Sequence, residues 1–339
     1  MVRYFCIIKE VKVNISLQNT EGTTAPSVSV VIPTYNRSAL LVNAIESVLR
    51  QTYTDYELIV IDDGSTDDTR KRLQPYMERI RYFYQENKGA SAAQNAGIRE
   101  ARGKWVSILA SDDIWHPTKL ERQLDAIAAL GSEYGACFTD CNFIGGWTTD
   151  STVFERAGLK TDAAFGPLLD PMKYIIQQYV LYVQTLLVLR SLVNEVGGFD
   201  ESLGLSEDRD LTFRLIFKTR FCFVSTSLVS IDRAPGISRL TDVFRIKNDQ
   251  SYAWLELALR KMLIQPELVD LEHRKAIRDE LITLYYGWTA LRIQNLNFMI
   301  ALENINKIRR LGQSYQKIIR TLLYRAWKKL LRIRRQEIG

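Results

Sequence analysis

Three pairs of adjacent acids could do chemistry in this chain of 339 residues: Asp62-Asp63, Asp112-Asp113 and Glu207-Asp208. The first pair follows the apolar run Glu57 to Ile61 and turns at Gly64-Ser65. Carboxylates in that position can accept hydrogen bonds from a base or a ribose at the edge of a sheet, although Asp and Gly also serve ordinary turns. The second pair follows Trp105 to Leu109 and precedes Trp115-His116-Pro117. Magnesium and manganese take one or two carboxylates and complete their shells with phosphate oxygens and water, so this pair suits a cation that also binds a diphosphate. The same residues would serve equally as a helix N-cap ahead of Pro117. The third pair opens Glu207-Asp208-Arg209-Asp210, where acids also complement a helix dipole. His116 and His273 are the only histidines, so a metal has to be held mainly by carboxylates, which favours magnesium or manganese over zinc.

Short β-rich runs alternate with helical stretches ahead of these acids. Val28 to Ile32 precedes a helix near Ser38 to Arg50, and Glu57 to Ile61 precedes one near Asp67 to Tyr76. Ile80 to Tyr84 is followed by a helix near Ser91 to Ala101, and Trp105 to Leu109 by one near Pro117 to Leu130. This alternation predicts an α/β fold with a mostly parallel, Rossmann-like sheet covered by helices, which binds ligands at the carboxyl ends of its strands. After Gly135 the pattern loosens into strands at Ala136 to Phe143 and Val183 to Leu189, the turn Gly197-Gly198-Phe199-Asp200 and a helix near Glu207 to Lys218. Beyond about Thr241 the chain reads as helix. The expected organisation is an extension over 1–26, one α/β domain over 27–240 and a helical region over 241–339.

Composition excludes several classes. With 46% hydrophobic and 25% charged residues the chain can bury a large core, which rules out disorder. Cys6, Cys137, Cys141 and Cys222 are too few and too scattered for a disulfide scaffold or a paired zinc site, and a reducing cytoplasm is the expected compartment. Lys9, Glu10 and Lys12 interrupt the apolar start, so no secretion signal is expected. Gln177, Gln178 and Gln184 interrupt the apolar stretch Tyr174 to Leu189, so no transmembrane helix is expected. The first strand runs into Pro33-Thr34-Tyr35-Asn36-Arg37 where a dinucleotide-binding domain would carry GxGxxG, which counts against NAD and FAD.

The formal charge of +6 is a property of the tail, because residues 304–339 hold eleven Lys and Arg against Glu337 alone. There Ile308, Leu311, Tyr315, Ile319, Leu322, Ala326 and Leu330 recur at helical spacing. Two readings stay open: a basic amphipathic helix on an anionic membrane, peripheral to the inner face of the plasma membrane, or a helix docked on the main domain with its charges solvated. No recognised nucleic-acid motif accompanies the charge, so no nucleic-acid partner is expected.

Five segments in order resemble the inverting glycosyltransferases of family 2, which have the GT-A fold: Val28 to Arg37, Asp62-Asp63-Gly64-Ser65-Thr66-Asp67, Asn87 to Gly97, Ser111-Asp112-Asp113, and Gly197 to Glu201 followed by Glu207-Asp208. The resemblance covers roughly Ser27 to Ser238. It implies that Thr34, Tyr35 and Arg37 line a nucleotide pocket, with Tyr35 stacking on the base, and that Asp63 accepts a hydrogen bond from the base ring. It implies Asp113 as the direct ligand of manganese or magnesium, Asp112 as a ribose or sugar contact, and Asp208 as the catalytic base. The implied reaction moves one sugar from a nucleoside diphosphate donor, UDP-sugar first, to the hydroxyl of a glycan or lipid-linked acceptor in cell-envelope or polysaccharide synthesis. The QxxRW signature of processive synthases is absent, which points to a non-processive type.

This chain departs from the family pattern at two positions. Gln94 stands where relatives commonly have arginine, and Ala234 where many have histidine. These departures keep open a catalytically impaired, nucleotide-sugar-binding sensor or partner protein. A nucleotidyltransferase would need a glycine-rich basic first loop, which this chain lacks.

Overall fold

A computed structural model describes residues 25–145, 151–159, 161–178, 181–233, 248–295 and 297–324. The expected extension over 1–26 lies almost wholly outside the described residues, as do Cys6, Ala234, Ala326 and Leu330.

Among the described residues one sheet of nine strands forms the centre. Its strands are β1 (Val28–Thr34), β2 (Tyr56–Asp62), β3 (Arg81–Tyr84), β4 (Trp105–Ile108), β5 (Ile114–Trp115), β6 (Tyr134–Ile144), β7 (Phe165–Pro167), β8 (Leu186–Leu189) and β9 (Arg220–Asp232). The order is β3-β2-β1-β4-β8-β6-β9-β5, with β7 also on β9. From β3 to β4 the sheet is parallel, as the alternating pattern predicts. From there it becomes mixed: β8 runs antiparallel to both β4 and β6, while β9 is parallel to β6 and antiparallel to β5 and β7. The pairing of β6 with β9 slips three times, once between Tyr134 and Ala136 and then on either side of Asp140, so that Thr139 faces Val224, Asp140 faces Ser227 and Cys141 faces Val229.

Helices α1 (Ser38–Leu49) and α2 (Ala90–Glu100) make two crossovers of the parallel half, β1 to β2 and β3 to β4, while α3 (Lys119–Leu130) leads from β5 to β6. Val28, Val30, Val31 and Ile32 are all fully buried, the continuous apolar run of a strand covered on both faces. Helix α2 sits so close to β1 that a Cβ on Gly97 would lie 2.1 Å from Val31 Cγ1, an approach that only glycine permits. The helix expected near Asp67 to Tyr76 is broken into the short turns Thr69–Arg72 and Gln74–Tyr76, with Pro75 in the second.

Helix α4 (Glu207–Leu215) precedes β9, and α5 (Asp249–Leu263), α6 (Leu271–Gln294) and α7 (Phe298–Arg310) form the C-terminal helical region. Glu256 on α5 ties these last three together: it accepts from Tyr285 Oη on α6 at 2.8 Å and pairs with Lys307 on α7 at 3.2 Å. Trp288 on α6 stacks on Tyr252 at 5.7 Å between centroids and donates to Asp249. Part of the tail's apolar stripe docks on this body. Ile308 and Ile318 are fully buried and Leu311 and Leu322 pack on the core, while Tyr315 and Ile319 remain exposed. No helix among the described residues is long and apolar enough to cross a membrane.

Candidate active site

The register pairs Thr34 at the end of β1 with Asp62 at the end of β2, and the ladder runs on as Asp63 N–H donates to the Thr34 carbonyl at 2.9 Å. Parallel strands present their carboxyl ends at one edge, so the segments after β1, β2 and β4 emerge together. Thr34 Oγ1 is buried there with no hydrogen-bond partner among the described residues. Asn36, in the left-handed region at φ 51, accepts from Thr66 N–H at 2.7 Å and receives further support from Ser65, whose Oγ takes the Asn36 N–H at 2.9 Å. These bonds lock the loop after β1 onto the loop after β2. Tyr35 stands exposed at the mouth.

Asp62 is a structural acid, accepting from Ser65 N–H at 2.8 Å and from Tyr82 Oη at 2.7 Å. The buried Asp63 accepts from Gln85 Nε2 at 2.7 Å, Lys88 N–H at 2.9 Å and Gly89 N–H at 2.8 Å. An ionised carboxylate has about four acceptor positions, so these three donors leave Asp63 roughly one for a ligand.

Asp112 and Asp113 follow β4 where the chain turns into β5. Arg37 reaches across from the β1 loop to Asp112 Oδ2 at 3.0 Å, which joins two of the expected site residues directly. Asp113 is deeper. Its Oδ1 accepts from Asp232 N–H at 3.0 Å, at the end of β9, and its Oδ2 from Gln184 Nε2 at 2.7 Å. Burial, followed by repulsion from Asp112, pushes the Asp113 carboxyl up to about 8 despite these bonds and the nearby Arg233. The two adjacent, nearly buried carboxyls repel one another when both are ionised, a repulsion that a cation beside them would relieve, and they offer hard oxygens. That donor set fits magnesium or manganese. No cluster of three metal-ligating side chains occurs among the described residues, so a cation here would have to draw its remaining ligands from phosphate and water.

Gln184 is itself held, since its carbonyl accepts from Trp115 Nε1 at 3.0 Å. Behind Trp115 lies a fully buried Lys119, its Nζ 3.9 Å from the indole centroid and bonded to Ser107 Oγ at 3.2 Å and Gln123 Oε1 at 2.8 Å. Burial pulls the Lys119 ammonium down to about 7.

Glu207 and Asp208 occupy the first turn of α4, after Ser206 in the left-handed region at φ 64. Burial and the adjacent Asp208 push the Glu207 carboxyl up to about 8. Asp208 connects to the rest of the site through Tyr182: burial raises that phenol to about 12, with Cys141 and Asp208 adding to the rise and Arg233 opposing it. Arg233 in turn acts on Asp113.

Gln184, Tyr182 and Asp232 carry no local motif, and sequence reasoning did not find them; only the long-range pairings of β8 with β4 and of β9 with β5 and β6 bring their segments in. Gln94 lies on α2 with its Oε1 buried and unbonded among the described residues, while the next residue, Asn95, grips the Phe199 backbone through both its amide groups at 2.8 and 2.9 Å.

Residues 29–179 match the model of glycosyl transferase family 2. An uncharacterized glycosyltransferase of Rickettsia typhi is 33% identical over 197 residues, covering 58% of this chain and 60% of the relative. Chondroitin synthase of Escherichia coli is 32% identical over 193 residues, which cover 56% of this chain and 26% of that one. The chain thus spans less than two thirds of the length of these relatives. The crystal structure of S. aureus TarS residues 1–349 in complex with UDP-GlcNAc superposes with a TM-score of 0.59 at 18% identity, covering 85% of this chain and 93% of that one. The shared architecture is the GT-A fold.

Proposed function

We propose that this chain, whose residues 29–179 match the model of glycosyl transferase family 2, is an inverting, non-processive glycosyltransferase that moves one sugar from a nucleoside diphosphate donor to an acceptor hydroxyl. The observation that carries this reading is the pairing of Arg37 with Asp112 at 3.0 Å, which joins the loop after β1 to the acidic turn after β4. Thr34, Tyr35, Arg37 and Asp63 take the nucleoside, and Asp112 the ribose or sugar. Asp113, with Asp112 beside it, would hold manganese or magnesium. When bound, that ion offsets charge developing on the departing diphosphate. Asp208 removes the acceptor proton as the hydroxyl attacks the anomeric carbon, a step worth roughly 10² to 10⁴-fold in rate.

UDP-sugar is the first donor to test, supported by the UDP-GlcNAc held by TarS, and a polysaccharide acceptor is supported by the likeness to chondroitin synthase. In this reading residues 27–240 carry the chemistry and 241–339 the helical region. The basic tail supplies a peripheral seat on an anionic membrane, on which exposed Tyr315 and Ile319 rest.

The test is release of nucleoside diphosphate from a panel of UDP-, GDP- and dTDP-sugars with manganese or magnesium, followed by the anomeric configuration of the product. A folded chain that binds a donor but never breaks its sugar–phosphate bond would instead be a sensor.

A further inference from the structure

The segment that leads into Glu207 and Asp208 is held from outside the sheet by the C-terminal helical region. Helix α5 sets the Trp254 ring against the backbone of this segment: a Cβ on Gly204 would lie 2.3 Å from Trp254 Cζ2 and 2.6 Å from Cη2, so the indole occupies the place of a side chain. Seven residues along the same helix, on the same face, Lys261 pairs with the Asp200 carboxylate and approaches Ser202 Oγ at 3.4 Å. From the opposite side Asn95 on α2 fixes Phe199 and donates to Glu201 Oε1 at 2.8 Å. Between this clamped segment and Glu207 stands Ser206, a non-glycine residue at φ 64. L-residues rarely hold that conformation unless their surroundings impose it.

We propose that Trp254 and Lys261 are positioning residues for Asp208. By fixing residues 200–206 against α5 they impose the left-handed turn at Ser206, and that turn sets where the Asp208 carboxylate stands. The helical region is then a working part of the transfer site. This inference rests on the reading of Asp208 as the base, and the experiment separates the two.

In the full chain, Trp254→Ala, Trp254→Phe and Lys261→Gln are compared with Asp208→Asn by two measurements. The first is turnover of whichever sugar nucleotide the unsubstituted chain consumes in the donor panel. Trp254→Ala should lower kcat by about tenfold to a hundredfold with donor KM little changed, the scale expected when a reacting group is misplaced by about 1 Å. Trp254→Phe should restore most of the loss, and Lys261→Gln should show a smaller fall of the same kind. Trp254→Ala added to Asp208→Asn should cause no further fall, because the two act through one group.

The second measurement is amide hydrogen exchange, which needs no donor. Exchange across 200–210 should quicken in Trp254→Ala and Lys261→Gln while β1 and β2 stay protected. Unchanged exchange in that segment, or unchanged kcat, overturns the positioning role. Near-normal turnover in Asp208→Asn overturns the base while leaving the exchange result to judge the clamp.

Discussion

The Arg37 guanidinium lies 3.0 Å from Asp112 Oδ2, with the acid side chain 8% exposed and the arginine 23% exposed. One interaction therefore spans the two loops that the proposed donor has to bridge. Removing the cation takes one charged hydrogen bond from an almost buried carboxylate, a loss on the scale of roughly 1.5–3 kcal/mol. Arg37→Ala is expected to lower stability by about 1–3 kcal/mol in urea titration. It should also weaken donor binding by about tenfold or more in calorimetry. Arg37→Lys should recover only part of both, because lysine keeps the charge and loses the planar fork.

Asp208→Asn preserves size and most hydrogen bonding but cannot take a proton. Turnover should fall by roughly 10² to 10⁴-fold with donor affinity nearly intact. A stability change of a few tenths to about 1 kcal/mol with turnover near normal would reduce Asp208 to an acid at a helix terminus. Glu207 and Asp210 would then be the next residues to test.

Gln184 fixes one oxygen of Asp113 at 2.7 Å, and the Asp232 N–H fixes the other at 3.0 Å. Outer partners of this kind typically govern metal affinity by 10 to 100-fold, so Gln184→Ala should raise the manganese concentration needed for half-maximal activity by about that factor. Asp113→Ala should abolish metal-dependent donor binding while free nucleoside, which lacks the diphosphate, binds nearly as before. Full donor turnover by Asp113→Ala at unchanged metal would remove the metal role.

Lys119 offers a test of folding energetics away from the acids. Burial pulls its folded value down to about 7, below the ordinary lysine value of 10.5. The unfolded chain therefore binds more protons between those limits, and this group's contribution to stability rises as pH increases from about 7 toward 10.5. Urea unfolding of the native chain and of Lys119→Met at pH 7 and pH 9 should show that difference. The native chain gains stability relative to the variant at the higher pH, and parallel behaviour of the two would contradict the depressed value.

The tail yields a packing prediction. Ile308 is fully buried, so Ile308→Ala should cost about 2–5 kcal/mol by denaturant unfolding. Ile319→Ala, at an exposed position, should change stability by less than about 0.5 kcal/mol and reduce binding to anionic vesicles, and unchanged vesicle binding would remove the membrane seat.

The first half of the fold was legible because burial on two faces writes itself locally. Val28 to Ile32 and Glu57 to Ile61 are apolar runs, and the structure extends each only to Thr34 and Asp62. The acid pairs were visible for the same reason, as each follows such a run or opens a helix. Strand β9 was not seen. Its sequence, RFCFVSTSLVSID, mixes serines into the apolar run, and its value lies in partners far away in the chain. Gln184 and Asp232 were invisible with it, since holding Asp113 depends on pairings more than 70 residues apart in sequence. The tail stripe was legible as a periodicity but not as a contact: helical spacing cannot say which of Ile308 and Ile319 meets the core.

The slips between β6 and β9 bear on how this chain tolerates changes of length. Ser225 and Thr226 fall between the register partners Val224 and Ser227 while Thr139 and Asp140 are adjacent, so β9 carries slack in its middle. Leu228 lies in the last slip, between Ser227 and Val229. An insertion or deletion in that stretch can be absorbed where the two strands are already out of step. Beyond Val229 the count is strict, with Ser230, Ile231 and Asp232 each opposite one residue of β6. One residue added there would carry the Asp232 N–H off Asp113 and turn alternate side chains to the wrong face. Related sequences should therefore vary in length before Val229 and hold it constant from Val229 to Asp232.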